Sequence, residues 1–332
     1  MNALAPWLQH QLSHLLRQQG HAWLIQGPSG LGQYELGLAL ASAWLCEQPS
    51  AEGACGHCSS CHAISVHAHP DLCLLMPETL MLDWGWPLDE KAQKDIDDKK
   101  RKASREIRVD AARDMVAFSQ TTRSGSQGKV VLIHPADRMN TITANTLLKT
   151  LEEPPGDTRF VLTSEAAHLL LPTVRSRCLT HTLQWPSDAQ ARAWLMAAGI
   201  SEQEAQVVLR ASGGRPDDAL RMTQADGMNA RQWALWPKAL QRGDASALSQ
   251  GTPAQAVAWL QKLCHDMLAQ QVGAAPRFFS PEDLPQGGTL RHLAAWSKLL
   301  VKEARTAEHP FNAGLMLESL ASQAQKALRP PR

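Results

Sequence analysis

Short apolar runs separated by amphipathic segments dominate the first half of the chain. Five of these runs lack a strict alternation of apolar and polar residues, and they lie at 21–26, 72–76, 129–133, 160–163 and 179–183. Runs of this kind are typical of strands buried on both faces of a parallel sheet. Helical spacing predicts helices over 35–45 and 143–153. The first half is therefore predicted to be an α/β domain with a doubly wound parallel sheet.

The pattern changes after Trp185-Pro186. From there the sequence is rich in Ala, Leu and Gln at helical spacing, interrupted by glycine and proline. This half is predicted to be all-helical. A break near 225–227 divides it into a small domain over 186–226 and a terminal bundle over 227–332.

Length and composition limit the function classes. A chain of 332 residues is longer than one ordinary domain. No apolar stretch approaches the roughly eighteen residues of a membrane span, and no N-terminal signal is recognisable, so a cytoplasmic protein without membrane contact is expected. A net charge of +1 argues against a free-standing nucleic-acid binder. Residues 83–105 mix both charges densely, which predicts an exposed insertion.

Four of the seven cysteines are clustered, namely Cys46, Cys55, Cys58 and Cys61. In a chain without a secretion signal, such clustering favours a metal over disulfides. Four thiolates close a tetrahedral site and leave no position for substrate, so the site would be structural. His57 and His62 are weaker alternative ligands, and Cys46 could instead be a small core residue.

The stretch GPSGLGQY at 27–34 resembles a phosphate-binding loop between a strand and a helix. Gly27, Gly30 and Gly32 suit a backbone that curls around a phosphate. Gln33, however, occupies the position of the lysine that contacts phosphate, and Tyr34 that of the hydroxyl that binds magnesium. Taken alone, the stretch could equally be a tight strand-to-helix turn.

A second catalytic element is also altered. An active ATPase of this type has acidic residues after the strand at 130–133, whereas this chain has His134-Pro135. Proline cannot act as a base, and neutral histidine is a poor magnesium ligand. Asp137 could replace them only through a shift in register. Hydrolysis is therefore expected to be lost.

Two longer motifs are more specific. ANTLLKTLEEPP at 144–155 and LLPTVRSRC at 170–178 closely resemble the bacterial clamp-loader ATPases of the AAA+ superfamily. The resemblance covers residues 1–185, and beyond them it is one of length and helical character. It implies an AAA+ domain with a zinc module at 46–61, then a helical lid at 186–226 and a helical collar at 227–332.

The resemblance also implies roles for individual residues. Arg177 in Ser-Arg-Cys corresponds to an arginine finger that acts on a neighbour's ATP, and zinc is implied on the four clustered cysteines. Asp217 occupies the position of a nucleotide-sensing arginine, and an acidic group there would repel phosphate. It is the third altered nucleotide-binding feature, after the phosphate loop and the residues that follow the strand at 130–133. This chain is therefore expected neither to bind nor to hydrolyse ATP. Lys149, Glu152 and Glu153 receive no catalytic task.

The implied partners are the delta subunit and the ATP-binding gamma/tau subunits of an open pentameric ring, with the sliding clamp and primed DNA reached through the complex. Two other functions remain open from the sequence. One is an active AAA+ ATPase with an unusual phosphate loop. The other is a zinc-dependent DNA-binding protein, which the near-neutral charge and the closed cysteine site disfavour.

Overall fold

A computed structural model of the chain describes residues 4–224, 228–307, 309 and 312–329. The chain forms two compact units, Met1–Pro186 and Ser187–Arg332. The predicted boundary between 226 and 227 lies outside the described residues. No helix in the described ranges is long and apolar enough to cross a membrane.

The first unit alternates strands and helices. Its strands are β1 (Ala22–Gln26), β2 (Leu72–Leu75), β3 (Lys129–Ile133), β4 (Thr158–Ser164) and β5 (Leu179–Thr182). Its helices are α1 (Pro6–Leu16), α2 (Gln33–Leu45), α3 (Ser59–Ser65), α4 (Glu78–Asp83), α5 (Glu90–Asp97), α6 (Val109–Gln120), α7 (Thr141–Glu152) and α8 (Pro172–Arg175). All five predicted strands and both predicted helices are present, and none of their ends differs from its predicted position by more than two residues.

The five strands form one parallel sheet in the order β2-β3-β4-β1-β5. Every residue of β3 is buried, as its continuous apolar sequence predicts. Helix α2 crosses the sheet at Gly37, where a Cβ would lie 2.9 Å from Cγ2 of Thr163 in β4. This close approach fixes the helix that follows the phosphate loop against the carboxyl ends of the strands.

Over its described residues the second unit contains helices and no strands, as predicted. Its helices are α9 (Asp188–Ala197), α10 (Glu202–Ala211), α11 (Pro216–Gln224), α12 (Ala230–Gln241), α13 (Pro253–Gln271), α14 (Leu290–Ala304) and α15 (Ala313–Ala327). Trp233, Phe279 and Trp296 are each at most 2% exposed in its core. Asp266 is fully buried there and accepts hydrogen bonds from the backbone N–H groups of residues 277–279. A carboxylate so satisfied ties that loop to α13.

The charged segment 83–105 is only partly the exposed insertion that its composition predicts. Helix α5 within it has no buried residue. Trp86, by contrast, is 8% exposed and contacts Tyr34 and His67. Because charged residues surround Trp86 in the sequence, the pattern of the segment does not show that this tryptophan is buried.

Candidate nucleotide-site remnant, arginine site and cysteine cluster

The phosphate loop keeps the backbone of such loops. It joins β1 to α2, and Gly30 and Gly32 have φ of 74° and 93°, in the left-handed region that favours glycine. A Cβ on Gly32 would also lie 2.4 Å from Cδ1 of Leu8, and one on Gly27 would lie 3.1 Å from Cβ of Leu183. Both the conformation and the space around the loop therefore require glycine at position 32.

Gln33 has become part of the loop itself. Its side chain is 3% exposed, and Nε2 donates hydrogen bonds to the carbonyl oxygens of Gly27 at 2.7 Å and Pro28 at 2.6 Å. A lysine in this position supplies a positive charge to the terminal phosphates. The neutral amide instead joins the two ends of the loop, so the loop is held in shape by its own side chain.

Tyr34 and His134 meet in an aromatic cluster. Their ring centroids lie 5.1 Å apart, and the ring of Trp84 lies 4.5 Å from that of Tyr34 and 5.3 Å from that of His134. Trp86 Nε1 donates a hydrogen bond of 2.8 Å to the Tyr34 hydroxyl. Burial raises the pKa of Tyr34 above its ordinary value of 10.0. The two positions that the sequence aligns with magnesium-binding residues therefore hold aromatic rings in contact.

The polar atoms near the ends of β3 and β4 are engaged with one another. His134 Nδ1 lies 2.6 Å from Oγ1 of Thr163, which is fully buried. Asp137 accepts hydrogen bonds from Ser164 Oγ at 2.6 Å and from the backbone N–H of Glu165 at 3.0 Å. Asp137 thus stabilises the turn after β4. The local structure gives it a role other than that of a magnesium ligand.

Arg177 lies at a different edge of the same sheet domain, after α8. Its Nε and Nη2 donate to Glu152 Oε2 at 3.1 and 2.7 Å, and its Nη1 donates to the Thr173 carbonyl at 2.9 Å. The side chain is 29% exposed. The two sequence motifs, LLKTLEEPP and Ser-Arg-Cys, are therefore joined through one ion pair that fixes the guanidinium.

Glu152 is the functional candidate that the sequence analysis left without a task. The sequence could have pointed to Glu152 only through its position in the motif at 144–155, at the end of α7. No local pattern identifies Arg177 as its partner. Arg175, Lys149 and Glu153 are exposed, in keeping with solvated side chains. Of the charged residues in these two motifs, the pair Glu152 and Arg177 is the one that the structure brings together.

The four clustered cysteines converge at the end of α2. All four Sγ atoms lie within 4.8 Å of one another, with separations of 3.8 Å for Cys46–Cys58, 4.0 Å for Cys55–Cys61 and 3.7 Å for Cys46–Cys61. Zn–S bonds of about 2.3 Å in a tetrahedron place the sulfurs about 3.8 Å apart. The donor set therefore fits a tetrahedral metal ion.

Backbone N–H groups point at these sulfurs. Cys55 N lies 3.2 Å and Gln48 N 3.4 Å from Cys46 Sγ, and Cys61 N lies 3.5 Å from Cys58 Sγ. Such contacts stabilise thiolates, which are the metal-binding form. Cys46, which could have been a simple core residue, is fully buried within the cluster. His57 and His62 are exposed and are not among the grouped ligands.

In the second unit, the position that the sequence aligns with a nucleotide-sensing arginine is acidic. Asp217 lies in the first turn of α11. The nearby Arg215 pairs with Asp218 through a contact of 2.9 Å from Nε to Oδ2. The arginine closest to the sensor position is thus committed to a local ion pair at the start of its helix.

Comparisons with known proteins show which family the chain resembles. A profile of the family described as "DNA polymerase III, delta subunit" matches residues 5–187. The protein named DNA polymerase III subunit delta' of Pseudomonas aeruginosa is 37% identical over 67% of this chain and 62% of its own length. Its namesake from Escherichia coli is 34% identical over 81% of this chain and 78% of its own length. The alignment thus spans slightly less than two thirds of the Pseudomonas relative.

Among solved structures, a DNA polymerase III gamma subunit-related protein of Thermotoga maritima superposes with a TM-score of 0.51 at 16% identity, covering 97% of this chain and 100% of that one. This likeness shows a shared fold. Together with the profile match and the relatives above, it leads to one conclusion: the chain belongs to the delta-prime family of DNA polymerase III.

Proposed function

We propose that this chain is a non-hydrolysing subunit of a clamp loader, acting as a fixed member of the ring that places a sliding clamp on primed DNA. In this proposal it supplies Arg177 to the ATP site of a neighbouring subunit. A guanidinium offers permanent charge and directional donors to the γ-phosphate as negative charge develops in the transition state. The chain's own phosphate loop would maintain the fold of the domain and take no part in ATP hydrolysis.

The observation that carries this proposal is the contrast within one sheet domain. The three positions aligned with the catalytic lysine, hydroxyl and acid hold Gln33, Tyr34 and His134. Gln33 bonds to the loop, and the rings of Tyr34 and His134 contact one another. Arg177 meanwhile remains charged, partly exposed and oriented by Glu152. This combination favours the finger over the alternative of an active ATPase with an unusual loop.

The test is the DNA-stimulated ATPase of a reconstituted clamp loader that contains this chain. We expect Arg177→Ala to leave assembly intact and to lower turnover at the neighbouring ATP site on the order of 10³-fold, since this is the lower range for removing an arginine finger. Assembly is measured by size-exclusion chromatography of the same preparations.

Arg175→Ala is the matched control, because Arg175 is exposed and two positions from Arg177. Its ATPase should equal that of the unaltered complex. An Arg177→Ala complex with unchanged ATPase would remove the finger from the proposal. Mg²⁺-dependent hydrolysis of ATP by the isolated chain would instead support the active-ATPase alternative.

We also propose that the cysteine cluster holds a structural zinc ion. Its four thiolates would leave no open coordination position, so the ion would supply bonding between the end of α2 and α3 and no reaction chemistry. Elemental analysis of the purified chain should give one zinc per chain. A well-folded chain without metal would refute this.

The remaining parts of the proposal concern partners and domains. We place this chain beside the delta subunit and the ATP-binding gamma/tau subunits, in the cytoplasm. Residues 186–226 would form the lid and residues 227–332 the collar that joins the ring. The collar proposal is supported by the partly exposed apolar side chains of α14, among them Leu299 at 45% and Val301 at 51% exposure.

A further inference from the structure

The insertion that follows β2 is anchored at its base by one buried carboxylate. Glu78 is 8% exposed, and its oxygens accept hydrogen bonds from Arg101 Nη1 at 2.5 Å and Nη2 at 2.9 Å and from the Ser104 backbone N–H at 2.8 Å. The Thr79 N–H in turn donates to the Ser104 carbonyl at 3.2 Å. A paired and fully hydrogen-bonded carboxylate of this kind fixes the two ends of segment 78–104 to each other.

The tip of the insertion is anchored separately. Trp84 contacts the rings of Tyr34 and His134, and Trp86 donates its indole hydrogen bond to the Tyr34 hydroxyl. Trp86 also stacks on His67, with ring centroids 3.8 Å apart and an interplanar angle of 13°. His67 Nδ1 lies 3.0 Å from the Gly85 carbonyl oxygen between the two tryptophans. The Trp84-Gly85-Trp86 tip is therefore held from three sides.

The two tryptophans lie beside the positions that correspond to the metal and γ-phosphate end of a nucleotide site. In a phosphate-loop ATPase, magnesium and the γ-phosphate lie between the hydroxyl residue of the loop and the acid that follows a second strand of the same sheet. Tyr34 and His134 hold those two positions here, and Trp84 contacts both. Magnesium gives up its water reluctantly and requires oxygen ligands, and burying charged phosphate against aromatic rings without partners is costly.

We propose that segment 78–104 is a built-in plug, whose Trp84 and Trp86 close the metal and γ-phosphate end of the site and exclude nucleotide independently of the missing lysine. The inference deepens the proposed non-hydrolysing role and rests on it for the identity of the site. It assigns a function to the charged insertion that its composition does not reveal.

The experiment measures Mg²⁺-ATP binding by isothermal titration calorimetry on the isolated full chain in four forms. These are the unaltered chain, Gln33→Lys, Trp84→Ala with Trp86→Ala, and the triple variant that combines all three changes. The lysine restores the charge that a phosphate loop needs, so any remaining barrier to binding must lie elsewhere. We expect Gln33→Lys alone to bind no better than the unaltered chain and the triple variant to bind at least tenfold more tightly.

The matched control combines Gln33→Lys with Trp185→Ala, because Trp185 is 47% exposed and belongs to neither the loop nor the plug. It should behave as Gln33→Lys alone. Equal affinities of Gln33→Lys and the triple variant would overturn the plug, as would a folded triple variant that does not bind.

A second form guards against misfolding of the alanine variants. Residues 80–103 are replaced by a short glycine-serine linker in the Gln33→Lys background, and circular dichroism and urea unfolding establish that the product is folded. This form should also gain nucleotide binding. Failure of the plug would leave the effect of Arg177→Ala on the complex untouched, so the two proposals fail separately.

Discussion

The phosphate-loop region and the Arg177 region lie in the same sheet domain but have been shaped in opposite ways. Around the loop, Gln33 is buried, and Trp84 stacks on His134 and contacts the tilted ring of Tyr34. The amide of Gln33 and the ring nitrogen of His134 form hydrogen bonds within the protein. Around Arg177, a charged pair remains at the surface, where keeping it costs little. The proposed function accounts for this difference, because a loop that binds no charged ligand can be buried, whereas an arginine that acts on a neighbouring subunit must stay accessible.

The largest effect is expected from placing an acidic residue at position 134, which tests whether the loop region is as buried as the contrast with the Arg177 region requires. His134→Asp places a carboxylate at a 5%-exposed position among aromatic rings and in place of the hydrogen bond to Thr163. We expect the free energy of unfolding to fall by roughly 3–5 kcal/mol, since an unpaired buried charge is strongly destabilising. Urea denaturation at neutral pH measures this.

His134→Asn is the control for the charge in that experiment, because it changes the shape without adding an ionised group. It should cost clearly less than His134→Asp. If the aspartate variant is as stable as the asparagine variant, the region is more solvated than the aromatic contacts indicate, and the contrast with the Arg177 region is weakened.

The Arg177 region should respond in function more than in stability. Glu152→Gln keeps an oxygen acceptor for Arg177 but removes its charge, so the guanidinium is held less firmly. We expect the DNA-stimulated ATPase of the complex to fall about tenfold, comparable to the loss of one charge-assisted hydrogen bond. Unfolding of the isolated chain should change by less than about 1 kcal/mol, as for other exposed pairs.

Glu153→Gln provides the matched comparison, because Glu153 is an exposed neighbour in the same motif. It should leave the ATPase of the complex unchanged. Equal effects of the two substitutions would mean that Glu152 acts only through the general charge of the helix end and does not position Arg177.

The smallest expected effect is a shift in the titration of Tyr34. It is the single tyrosine of the chain, so phenolate absorbance reports on it alone. Because burial raises its folded pKa above 10.0, the unfolded chain loses a proton before the folded chain does, and stability falls as the pH rises above about 10. Trp84→Ala should admit water and move the transition toward pH 10. An unshifted titration in the unaltered chain would show that Tyr34 is open to solvent.

The strands of this fold follow from the sequence because each is a continuous apolar run that a parallel sheet buries on both faces. Val130 to Ile133 is the clearest case, with every position at most 1% exposed. The cysteine cluster could also be anticipated, because three of its members lie within seven residues and local spacing nearly determines their geometry.

The contacts that give the site its character could not be anticipated in this way. Trp86 and Tyr34 are 52 positions apart, and Glu152 and Arg177 are 25 apart, so the sheet topology brings them together and no local pattern does. The charges around Trp84 also outweigh two tryptophans in any averaged view of that segment. The composition of the segment correctly predicts the exposed helix α5 but does not predict that Trp84 and Trp86 contact the loop region.

Helix α2 has a consequence for how such a subunit behaves over time. It begins at Gln33 and runs for 13 residues, about 20 Å, until it reaches Cys46 in the cysteine cluster. In an active ATPase, nucleotide orders the loop on each round, and part of the binding free energy is used in doing so. Here Gln33 contacts the loop at one end of the same helix, and the cysteine cluster lies at the other end. In the proposed function, this helix would keep one conformation while the neighbouring subunits bind and hydrolyse ATP.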